Sequence, residues 1–331
     1  MAQTPTPVSI VTGFLGAGKT TLIGNILRDP GFARTAVIVN EFGEIGLDRD
    51  LIASGSETLL TLTTGCLCCA VRNDLIETLL DLRHRAGDAF DRVLIETSGL
   101  ADPAPILQTL MTGREVAETH AIDTMLAVID PVHGEAALDR YVEARRQTAL
   151  ADCIVFSKTD LAAPSGRLLD RVLALNPLAP RVAAAELAPA MVFAGGDPMA
   201  RAARLAAMPD ARSPFGTARH TGGIETSSLR RARPLPALAL TLWLQALTEH
   251  CGDRLMRVKG IVAIAEMPGR QAVVHGVQHV FSPPAFLDRL PSDDTDTRFV
   301  FIGRDLPPYF PARLLDAIEA EVREELEMAA D

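Results

Sequence analysis

The stretch "GFLGAGKT", from Gly13 to Thr20, decides the fold of this 331-residue chain. It matches the pattern G-x-x-x-x-G-K-[ST], follows the apolar run "VSIVT" directly and precedes the helix-compatible run "TTLIGNIL". In that context the backbone N–H groups of the glycine-rich turn curl around phosphate oxygens, and the helix N-terminus adds partial positive charge. The alternative, a chance glycine-rich turn, would leave the strand, the lysine and the threonine unexplained. The nucleotide-binding loop is therefore predicted to consist of Gly13, Gly16, Ala17, Gly18, Lys19, Thr20 and Thr21.

Two side chains of this loop and one later segment are expected to handle the phosphates. Lys19 would reach the β- and γ-phosphates, and the Thr20 hydroxyl would bind Mg²⁺. The later segment "RVLIETSG" ends an apolar strand with Glu96 and places Gly99 three residues on. An acid at that strand end can hold Mg²⁺ together with Thr20, and the glycine can offer its N–H to the γ-phosphate. A solvated glutamate would be the interpretation if the phosphate loop were missing.

A third motif, "CIVFSKTD", indicates which base the site takes. It places Ser157, Lys158 and Asp160 after an apolar strand. A carboxylate there can accept hydrogen bonds from the N1 and N2 hydrogens of guanine, a pattern that adenine does not offer. Lys158 can lie over the ring. The order of the three motifs along the chain therefore predicts binding of GTP and GDP.

The first half of the chain alternates short β-branched runs with helical patterns, which is typical of a parallel sheet. A helix is predicted from Asn73 to Leu82. The pattern fades after about Val182, and a second region follows in which "PALALTLWL", "LMRVKGIVAI", "QAVVHGVQHVF" and "TRFVFIGRD" are interpreted as strands before a closing helix near Ala312–Met328. We predict an α/β P-loop domain with a mostly parallel sheet over residues 1–190, a linker over 191–220 and a smaller α+β domain over 221–331. The strands predicted for the first domain are Val8–Thr12, Ala36–Asn40, Arg92–Thr97, Met125–Asp130 and Cys153–Ser157.

Composition limits the possible partners. The chain is 48% hydrophobic and 22% charged, and its formal net charge is -10 without a basic stripe, which argues against nucleic acid as a partner. The N-terminal segment lacks a secretory pattern, and the apolar run Leu235–Leu247 is too short to span a bilayer. We therefore expect a cytoplasmic protein with no membrane partner.

Three of the five cysteines, Cys66, Cys68 and Cys69, lie within four positions in "TLTTGCLCCAVRND". Thiolates at i, i+2 and i+3 of a tight turn can converge on one ion, and sulfur ligands favour Zn²⁺, Co²⁺ or Cu(I) over Mg²⁺. A three-thiolate site keeps one coordination position open, which suits an ion that must leave again. A redox disulfide between Cys66 and Cys69, or simple packing of small side chains, are the alternatives. Cys153, in a buried strand pattern, and Cys251, at a helix end, are interpreted as structural.

These motifs together resemble the CobW-like family of P-loop GTPases, which is related to the maturation GTPases of nickel enzymes. The matching stretches are "GFLGAGKTT", "NEFGEIGLD", "GCLCC", "IETSGLADP" and "SKTD", in that order, and the C-terminal region also resembles the family's second domain. The resemblance implies GTP hydrolysis coupled to the handling of zinc or cobalt. It also implies that Glu41, Gly43 and Asp48 lie in a switch segment, with Glu41 among the catalytic residues, Lys19, Glu96 and Gly99 being the others.

The chain departs from the family pattern in two places. The guanine motif commonly begins with Asn, whereas Ser157 stands here, and the shorter hydroxyl replaces an amide that would bond the base and tie neighbouring loops. The chain contains only seven histidines and no histidine-rich run, so an auxiliary metal store is not expected.

The leading hypothesis is a GTP-driven metal chaperone with Mg²⁺·GTP at the phosphate loop and Zn²⁺ or Co²⁺ at the cysteines. Its partner would be a client metalloprotein, and the sequence identifies neither that client nor an oligomeric state. Two other hypotheses stay open at this point. One is a metal- or nucleotide-sensing switch that acts by binding a partner without delivering metal. The other is a P-loop ATPase or kinase, which the serine at the start of the guanine motif keeps possible.

Overall fold

A computed structural model describes residues 5–40, 59–62, 68–86, 89–193, 222–287 and 295–328. The chain divides into two compact units, the first made of Met1–Leu173 with Ala179–Gly196 and the second of Ala174–Leu178 with Asp197–Asp331. Each unit has its own sheet. Most of the predicted linker lies outside the described residues, so the division at residues 190 and 221 stays a prediction.

The sheet of the first unit is parallel throughout its described strands, as predicted. Its strands run in the spatial order β3-β2-β4-β1-β5-β6-β7, which places β1 at the centre with β4 and β5 on its two sides. The chain therefore crosses from one side of β1 to the other, and the carboxyl ends of β1, β4, β5 and β6 lie along one edge. The strands are β1 (Thr6–Gly13), β2 (Thr35–Asn40), β3 (Leu59–Leu62), β4 (Arg92–Glu96), β5 (His120–Ile129), β6 (Cys153–Phe156) and β7 (Arg181–Ala183).

All five strands predicted for this unit are confirmed, because their apolar runs are buried on both faces. β5 is longer than predicted and begins at His120 rather than Met125. Three of its first five residues, His120, Asp123 and Thr124, are buried polar residues, so the start of the strand carries no continuous apolar run. β3 and β7 were not predicted; both are short, with four and three residues.

Helices connect these strands and cover the sheet. Leu22, Ile23 and Ile26 of the first helix pack with Val11 of β1 in the core of the unit. The helices are α1 (Lys19–Leu27), α2 (Cys68–Ala86), α3 (Ala104–Thr112), α4 (Arg114–Thr119), α5 (Gly134–Arg140), α6 (Val142–Leu150), α7 (Gly166–Leu175) and α8 (Pro189–Val192).

The helix predicted from Asn73 to Leu82 is present but begins five residues earlier, at Cys68. No glycine or proline stands between Cys68 and Asn73, so nothing in the sequence prevents the helix from extending toward its N-terminus. The backbone of Cys68 and Cys69 therefore forms the first helical turn. The tight turn predicted for the three cysteines begins at Cys66, outside the described residues, and stays a prediction. Leu79, within the predicted span, is fully buried.

The second unit contains an antiparallel sheet, as an α+β domain requires. Its described strands run in the order β11-β10-β9-β13-β8, with β12 paired to β10. Two helices pack on one face, where the Trp243 ring meets Phe299 edge-on at 4.7 Å and its Nε1 donates to the Pro311 carbonyl at 3.0 Å. The elements are β8 (Ile224–Arg231), α9 (Ala237–Cys251), β9 (Leu255–Ala263), β10 (Gln271–Val277), β11 (Val280–Phe281), β12 (Ala285–Leu287), β13 (Thr297–Arg304) and α10 (Phe310–Met328).

Two predictions for this unit are wrong. The segment Pro236–Leu244, predicted as a strand, forms the N-cap and the first eight residues of helix α9, which buries Leu240, Trp243 and Leu247 at helical spacing. The segment 271–281 is not one strand but two, because the chain turns at Gln278, whose φ is 54°, and pairs Gly276 with Phe281. The closing helix is confirmed and begins two residues before Ala312.

No helix within the described residues is both long enough and apolar enough to cross a bilayer.

Candidate functional site

The phosphate-loop motif lies where β1 ends and α1 begins, at the carboxyl edge of the parallel sheet. Gly18 is the N-cap of α1 and has a φ of 89°, a left-handed conformation that glycine adopts without a Cβ penalty. The first backbone N–H groups of α1 lie at this end of the helix, beside the loop. This arrangement is suited to an anion, because these amides have no partner within the helix and the helix dipole is positive at this end.

Lys19, predicted to contact the β- and γ-phosphates, occupies the first position of α1. Its side chain bends back over the loop, and Nζ donates to the carbonyls of Gly13 at 3.0 Å and Phe14 at 3.5 Å. Only 8% of the residue is exposed. A compact, buried ammonium beside the loop supplies the charge that a polyphosphate needs there.

Thr20 and Glu96, predicted to share Mg²⁺, are brought together by the fold. Glu96 ends β4 opposite Val11 of β1, and the Thr20 hydroxyl donates to Oε1 of Glu96 at 2.8 Å. Glu96 is 4% exposed. A hydroxyl and a carboxylate form a hard-oxygen donor set of the kind that Mg²⁺ prefers, so the residues present fit that ion.

The segment that follows Glu96 passes directly over the phosphate loop. The Thr97 hydroxyl donates to the Thr12 hydroxyl at 2.8 Å, and the Ala101 N–H donates to the Ser98 carbonyl at 3.0 Å, which closes a turn. A Cβ added to Gly99 would lie 2.7 Å from the backbone nitrogen of Leu15, so only glycine allows this approach. Gly99, predicted to sense the γ-phosphate, therefore contacts the phosphate loop itself.

A buried glutamine outside the predicted site residues holds this turn in place. Gln147 of α6 is 1% exposed, and its Nε2 donates to the carbonyls of Gly99 at 3.1 Å and Ala101 at 3.0 Å. The neighbouring Arg146 donates to Asp102 at 2.6 Å. The available sequence signal was a polar residue on the face of α6 that also buries Ala144.

A cavity of about 40 Å³ lies between the phosphate loop, the end of β5 and helices α5 and α6. Its walls are mainly apolar, with Asp130, His133, Gln147 and Thr148 as the polar lining residues. Within the described part of the chain, Oε1 of Gln147 has no hydrogen-bond partner. A cavity of this size has room for a water molecule, which could donate to that oxygen.

Ser157 and Lys158, the first two residues of the predicted guanine motif, are tied to the phosphate loop. The Ser157 hydroxyl donates to the Ala17 carbonyl at 2.6 Å. Lys158 has a φ of 47°, and its Nζ donates to the Gly16 carbonyl at 2.7 Å. The serine thus supplies the tie between loops that the sequence analysis associated with an asparagine amide.

Asp130, at the carboxyl end of β5, was not predicted to belong to the site. Lys158 Nζ lies 2.8 Å from its Oδ2, and His133 Nδ1 lies 3.1 Å from the same oxygen. Burial opposes ionisation of Asp130, but hydrogen bonds from Lys158, His133 and the Val132 N–H, with the Lys158 charge, outweigh it and hold the pKa of Asp130 below its ordinary value. The carboxylate therefore orients Lys158 as an ion pair.

Asp160, predicted to select the base, is exposed to solvent at the surface of the same edge. The chain turns immediately after Lys158, because the N–H groups of Leu161 and Ala162 both donate to the Lys158 carbonyl. Asp160 lies inside that turn, on the same segment as Lys158. The three predicted base-binding residues therefore share one edge of the sheet with the phosphate loop.

The predicted metal and switch residues lie largely outside the described residues. This holds for Glu41, Gly43, Asp48 and Cys66 entirely, and for the side chains of Cys68 and Cys69. Their backbone is described and forms the first turn of α2. In the part of the chain that the structure covers, no three His, Cys, Asp or Glu side chains cluster as a metal site.

The parallel sheet with central β1, the phosphate loop at its carboxyl edge and the Thr20–Glu96 pair define a P-loop nucleotide-binding protein. The chain belongs to the CobW/HypB/UreG family. The model of that family's nucleotide-binding domain matches residues 7–182, and the model of the cobalamin synthesis protein cobW C-terminal domain matches residues 224–327.

Similar proteins have been named for zinc. The zinc chaperone YjiA of Escherichia coli is 33% identical over 309 residues, which cover 92% of this chain and 95% of that protein. The zinc-regulated GTPase metalloprotein activator 1 of Schizosaccharomyces pombe is 37% identical over 184 residues, 53% of this chain and 44% of that one. The crystal structure of Zn(II)-bound YjiA GTPase from E. coli superimposes with a TM-score of 0.71 at 25% identity, covering 96% of this chain and 99% of that chain. The resemblance stated from the motifs is confirmed.

Proposed function

We propose that this chain is a GTP-hydrolysing metallochaperone. It takes up Zn²⁺ or Co²⁺ at Cys66, Cys68 and Cys69 and passes the ion to a client metalloprotein under the control of the bound nucleotide. The observation that carries the proposal is its similarity over 92% of its length to a protein named as a zinc chaperone. The geometry around the phosphate loop supports the nucleotide part.

The nucleotide would lie along the carboxyl edge of the parallel sheet. The N-terminus of α1 and Lys19 would hold the β- and γ-phosphates, and Thr20 and Glu96 would hold Mg²⁺. When bound, Mg²⁺ neutralises charge on the phosphate oxygens and makes the γ-phosphorus easier to attack. Asp160 would accept hydrogen bonds from guanine, and Lys158 would lie over its ring.

Hydrolysis transfers the γ-phosphoryl group to water and leaves GDP and inorganic phosphate. The bond between the γ-phosphorus and the bridging oxygen breaks as the oxygen of water bonds to phosphorus. Gly99 would donate its N–H to the γ-phosphate, and Glu41 would contribute from the switch segment. Once the phosphate has left, the Gly99 turn loses that interaction, and this loss distinguishes the GDP state from the GTP state.

The cargo would be held by thiolates at the start of α2. A helix N-terminus favours anions, so the beginning of α2 at Cys68 favours the thiolate forms of Cys68 and Cys69. Three thiolates leave one position of a tetrahedral ion for a ligand from the client. Transfer then amounts to stepwise replacement of chaperone thiolates by client ligands.

Coupling between the two sites requires that nucleotide and metal influence each other equally. If GTP strengthens metal binding by some factor, metal must strengthen GTP binding by the same factor. Hydrolysis would then weaken the hold on the ion at the moment when a client is present.

A metal-transfer assay tests the proposal. Chain loaded with Zn²⁺ is mixed with candidate apo-clients in the presence of GTP, GDP or no nucleotide, and client activation is followed. We expect transfer to depend on GTP turnover. Transfer at the same rate in all three arms would contradict nucleotide control, and capture of a partner without transfer would favour the sensing switch.

Cobalt spectroscopy tests the proposed cargo site. Reduced protein is expected to bind about one Co²⁺ per chain with thiolate absorption, and the Cys66/Cys68/Cys69→Ser variant is expected to lose that absorption. Cys251→Ser is the matched control, because Cys251 is buried at the end of α9 and far along the chain. Absorption that survives in the triple variant would refute the assignment.

A further inference from the structure

Helix α6 holds the turn Ser98–Ala101 through a single buried side chain. We propose that Gln147 is a positioning residue for GTP: its amide fixes this turn so that the Gly99 N–H meets the γ-phosphate, and the chain distinguishes GTP from GDP through that contact. The inference rests on the proposed function, since it assigns a role to Gln147 in the same nucleotide site.

Both hydrogens of the Gln147 side-chain amide have an acceptor in the turn. Nε2 donates one to the Gly99 carbonyl at 3.1 Å and the other to the Ala101 carbonyl at 3.0 Å. An amide nitrogen carries two hydrogens, whereas a hydroxyl carries one, so serine or threonine could not hold both carbonyls. The two bonds fix the peptide plane between Gly99 and Leu100 and the plane that follows Ala101, although half of the Leu100 surface is exposed to solvent.

The Gly99 N–H lies in the peptide plane between Ser98 and Gly99, and the bond to the Gly99 carbonyl holds the plane next to it. The Ala101 N–H already closes the turn onto the Ser98 carbonyl, so little rotational freedom remains between them. The turn also touches the phosphate loop, because a Cβ at Gly99 would meet the Leu15 backbone. A displacement of about 1 Å at such a contact can reduce a reaction rate by about 10²-fold.

Helix α6 is attached to the phosphate loop as well as to the turn. The ring of Tyr141, which caps α6, stacks on Phe14 of the phosphate loop with centroids 4.4 Å apart. Arg146 donates to Asp102, directly after the turn. The helix therefore connects the two loops that would surround the γ-phosphate, and Gln147 makes the central connection.

A buried glutamine could instead serve stability alone, and the two roles predict different results. Loss of a purely structural bond lowers the free energy of unfolding and weakens GTP and GDP binding together. Loss of a positioning bond weakens binding of a GTP analogue more than binding of GDP, and it lowers kcat. The ratio of the two affinities is therefore the decisive quantity.

The test uses the full chain with the substitution Gln147→Met, which keeps the approximate shape and removes the N–H donors. We expect the affinity for a non-hydrolysable GTP analogue to fall about 10-fold relative to GDP, and kcat to fall about 10- to 100-fold. Thr109→Val is the matched control: it removes a buried hydroxyl that bonds only within α3, to the Pro105 carbonyl, and it is expected to leave the ratio unchanged.

A second variant and a nucleotide-free measurement cover the case in which Gln147→Met does not fold. Arg146→Met removes the bond to the partly exposed Asp102, and we expect a smaller change in the same ratio, about threefold. Hydrogen exchange of the apo chain is expected to be faster at residues 98–102 in either variant than in the wild type.

Failure of the proposed function and failure of the role assigned to Gln147 give different results. A wild-type chain that binds no GTP would remove the proposed function and this inference with it. A wild-type chain that binds GTP, beside variants with the wild-type affinity ratio, kcat and exchange at residues 98–102, would overturn the inference alone.

Discussion

The two ends of the candidate nucleotide site differ in how far their side chains are buried and in what holds them. At the phosphate end, Glu96 and Gln147 are almost fully buried and are held by hydrogen bonds to Thr20 and to the Gly99 turn. At the base end, Asp160 is exposed, and the adjoining lysine is positioned by an ion pair rather than by burial.

This difference suggests how the work is divided. Groups that are buried and fixed before the ligand arrives can stabilise charge that develops during reaction, because they need no rearrangement. Groups at the surface act through water and salt, so their contribution is smaller and more easily screened. Changes at the phosphate end should therefore alter hydrolysis and the choice between GTP and GDP, whereas changes at the base end should affect both nucleotides alike.

The largest effect is expected from Glu96→Gln. The substitution keeps the shape but removes the buried charge that would support Mg²⁺, and kcat for GTP should fall about 10³-fold. Phosphate release in the presence of Mg²⁺ measures it, and GDP affinity in a chelator should stay within about twofold of the wild type. Exposed Glu186→Gln is the control. A kcat within about threefold of the wild type would contradict the role of Glu96 in hydrolysis at the phosphate end.

Acid is expected to lower the free energy of unfolding through His120. This residue begins β5, at the end opposite to the carboxyl edge where the nucleotide would bind. Burial lowers the pKa of His120 from 6.5 to about 4, and the charge of Arg83 adds to this. Below pH 6.5 His120 becomes protonated in the unfolded chain, whereas in the folded chain it stays neutral down to about pH 4. Stability is therefore full above that pH and falls by about 3 kcal/mol as the pH drops to about 4.

Denaturant unfolding at several pH values measures this loss. His120→Gln should flatten the pH dependence between pH 7 and 5, whereas the exposed His84→Gln on α2 should keep it. An equal slope in the wild type and His120→Gln would contradict the assignment to His120.

Gly99→Ala should weaken GTP binding more than GDP binding, because it alters the phosphate end and leaves the base end unchanged. The new Cβ would lie 2.7 Å from the Leu15 nitrogen, so the turn must move away from the phosphate loop. The preference for a GTP analogue over GDP should fall about 30-fold, measured by competition with a fluorescent guanine nucleotide. Gly166→Ala is the control, because a Cβ there meets nothing within 4 Å. An equal loss of affinity for both nucleotides would mean that the turn does not contact the γ-phosphate.

At the base end, Asp160→Asn should weaken GTP and GDP equally, by about 10-fold. The amide replaces one of two acceptors for the N1 and N2 hydrogens of guanine with a donor. Competition of GTP and ATP against the same fluorescent probe should show a reduced preference for guanine. A loss confined to GTP would contradict the division of roles.

The smallest expected effect is that of Ser157→Ala. It removes the hydroxyl bond to the Ala17 carbonyl, which should cost about 1 kcal/mol, or about fivefold in affinity for both nucleotides. Ser157→Asn, the residue common in the family, should restore or exceed the wild-type affinity. No change in either variant would show that this tie between loops is dispensable.

The phosphate end was largely predictable from sequence because its residues are linked by local order. A strand, a glycine turn and a helix follow one another within residues 8–27, and Glu96 ends a strand that reads as buried. Gln147 was not predictable in the same way. It reaches its partners 46 and 48 positions away, and nothing local says which carbonyls it will meet.

The second unit shows a different limit. Leucines at 238, 240, 242 and 244 alternate as in a strand, yet the segment is helical. Leu238 and Leu242 are partly exposed in the helix, while Trp243 is buried against Phe299 and Phe301. Packing of the tryptophan on the sheet outweighs the alternation, and that packing depends on strands more than 50 positions later in the chain.

The central question is whether the bound nucleotide changes the affinity of the chain for metal. Zn²⁺ affinity of the fully reduced chain is measured by competition with a chelator, once with GDP and once with a non-hydrolysable GTP analogue. We predict binding about 10²–10³-fold tighter with the analogue, equivalent to about 2.7–4 kcal/mol, and the same factor in analogue affinity when Zn²⁺ is present. Equal Zn²⁺ affinities in the two arms would contradict it.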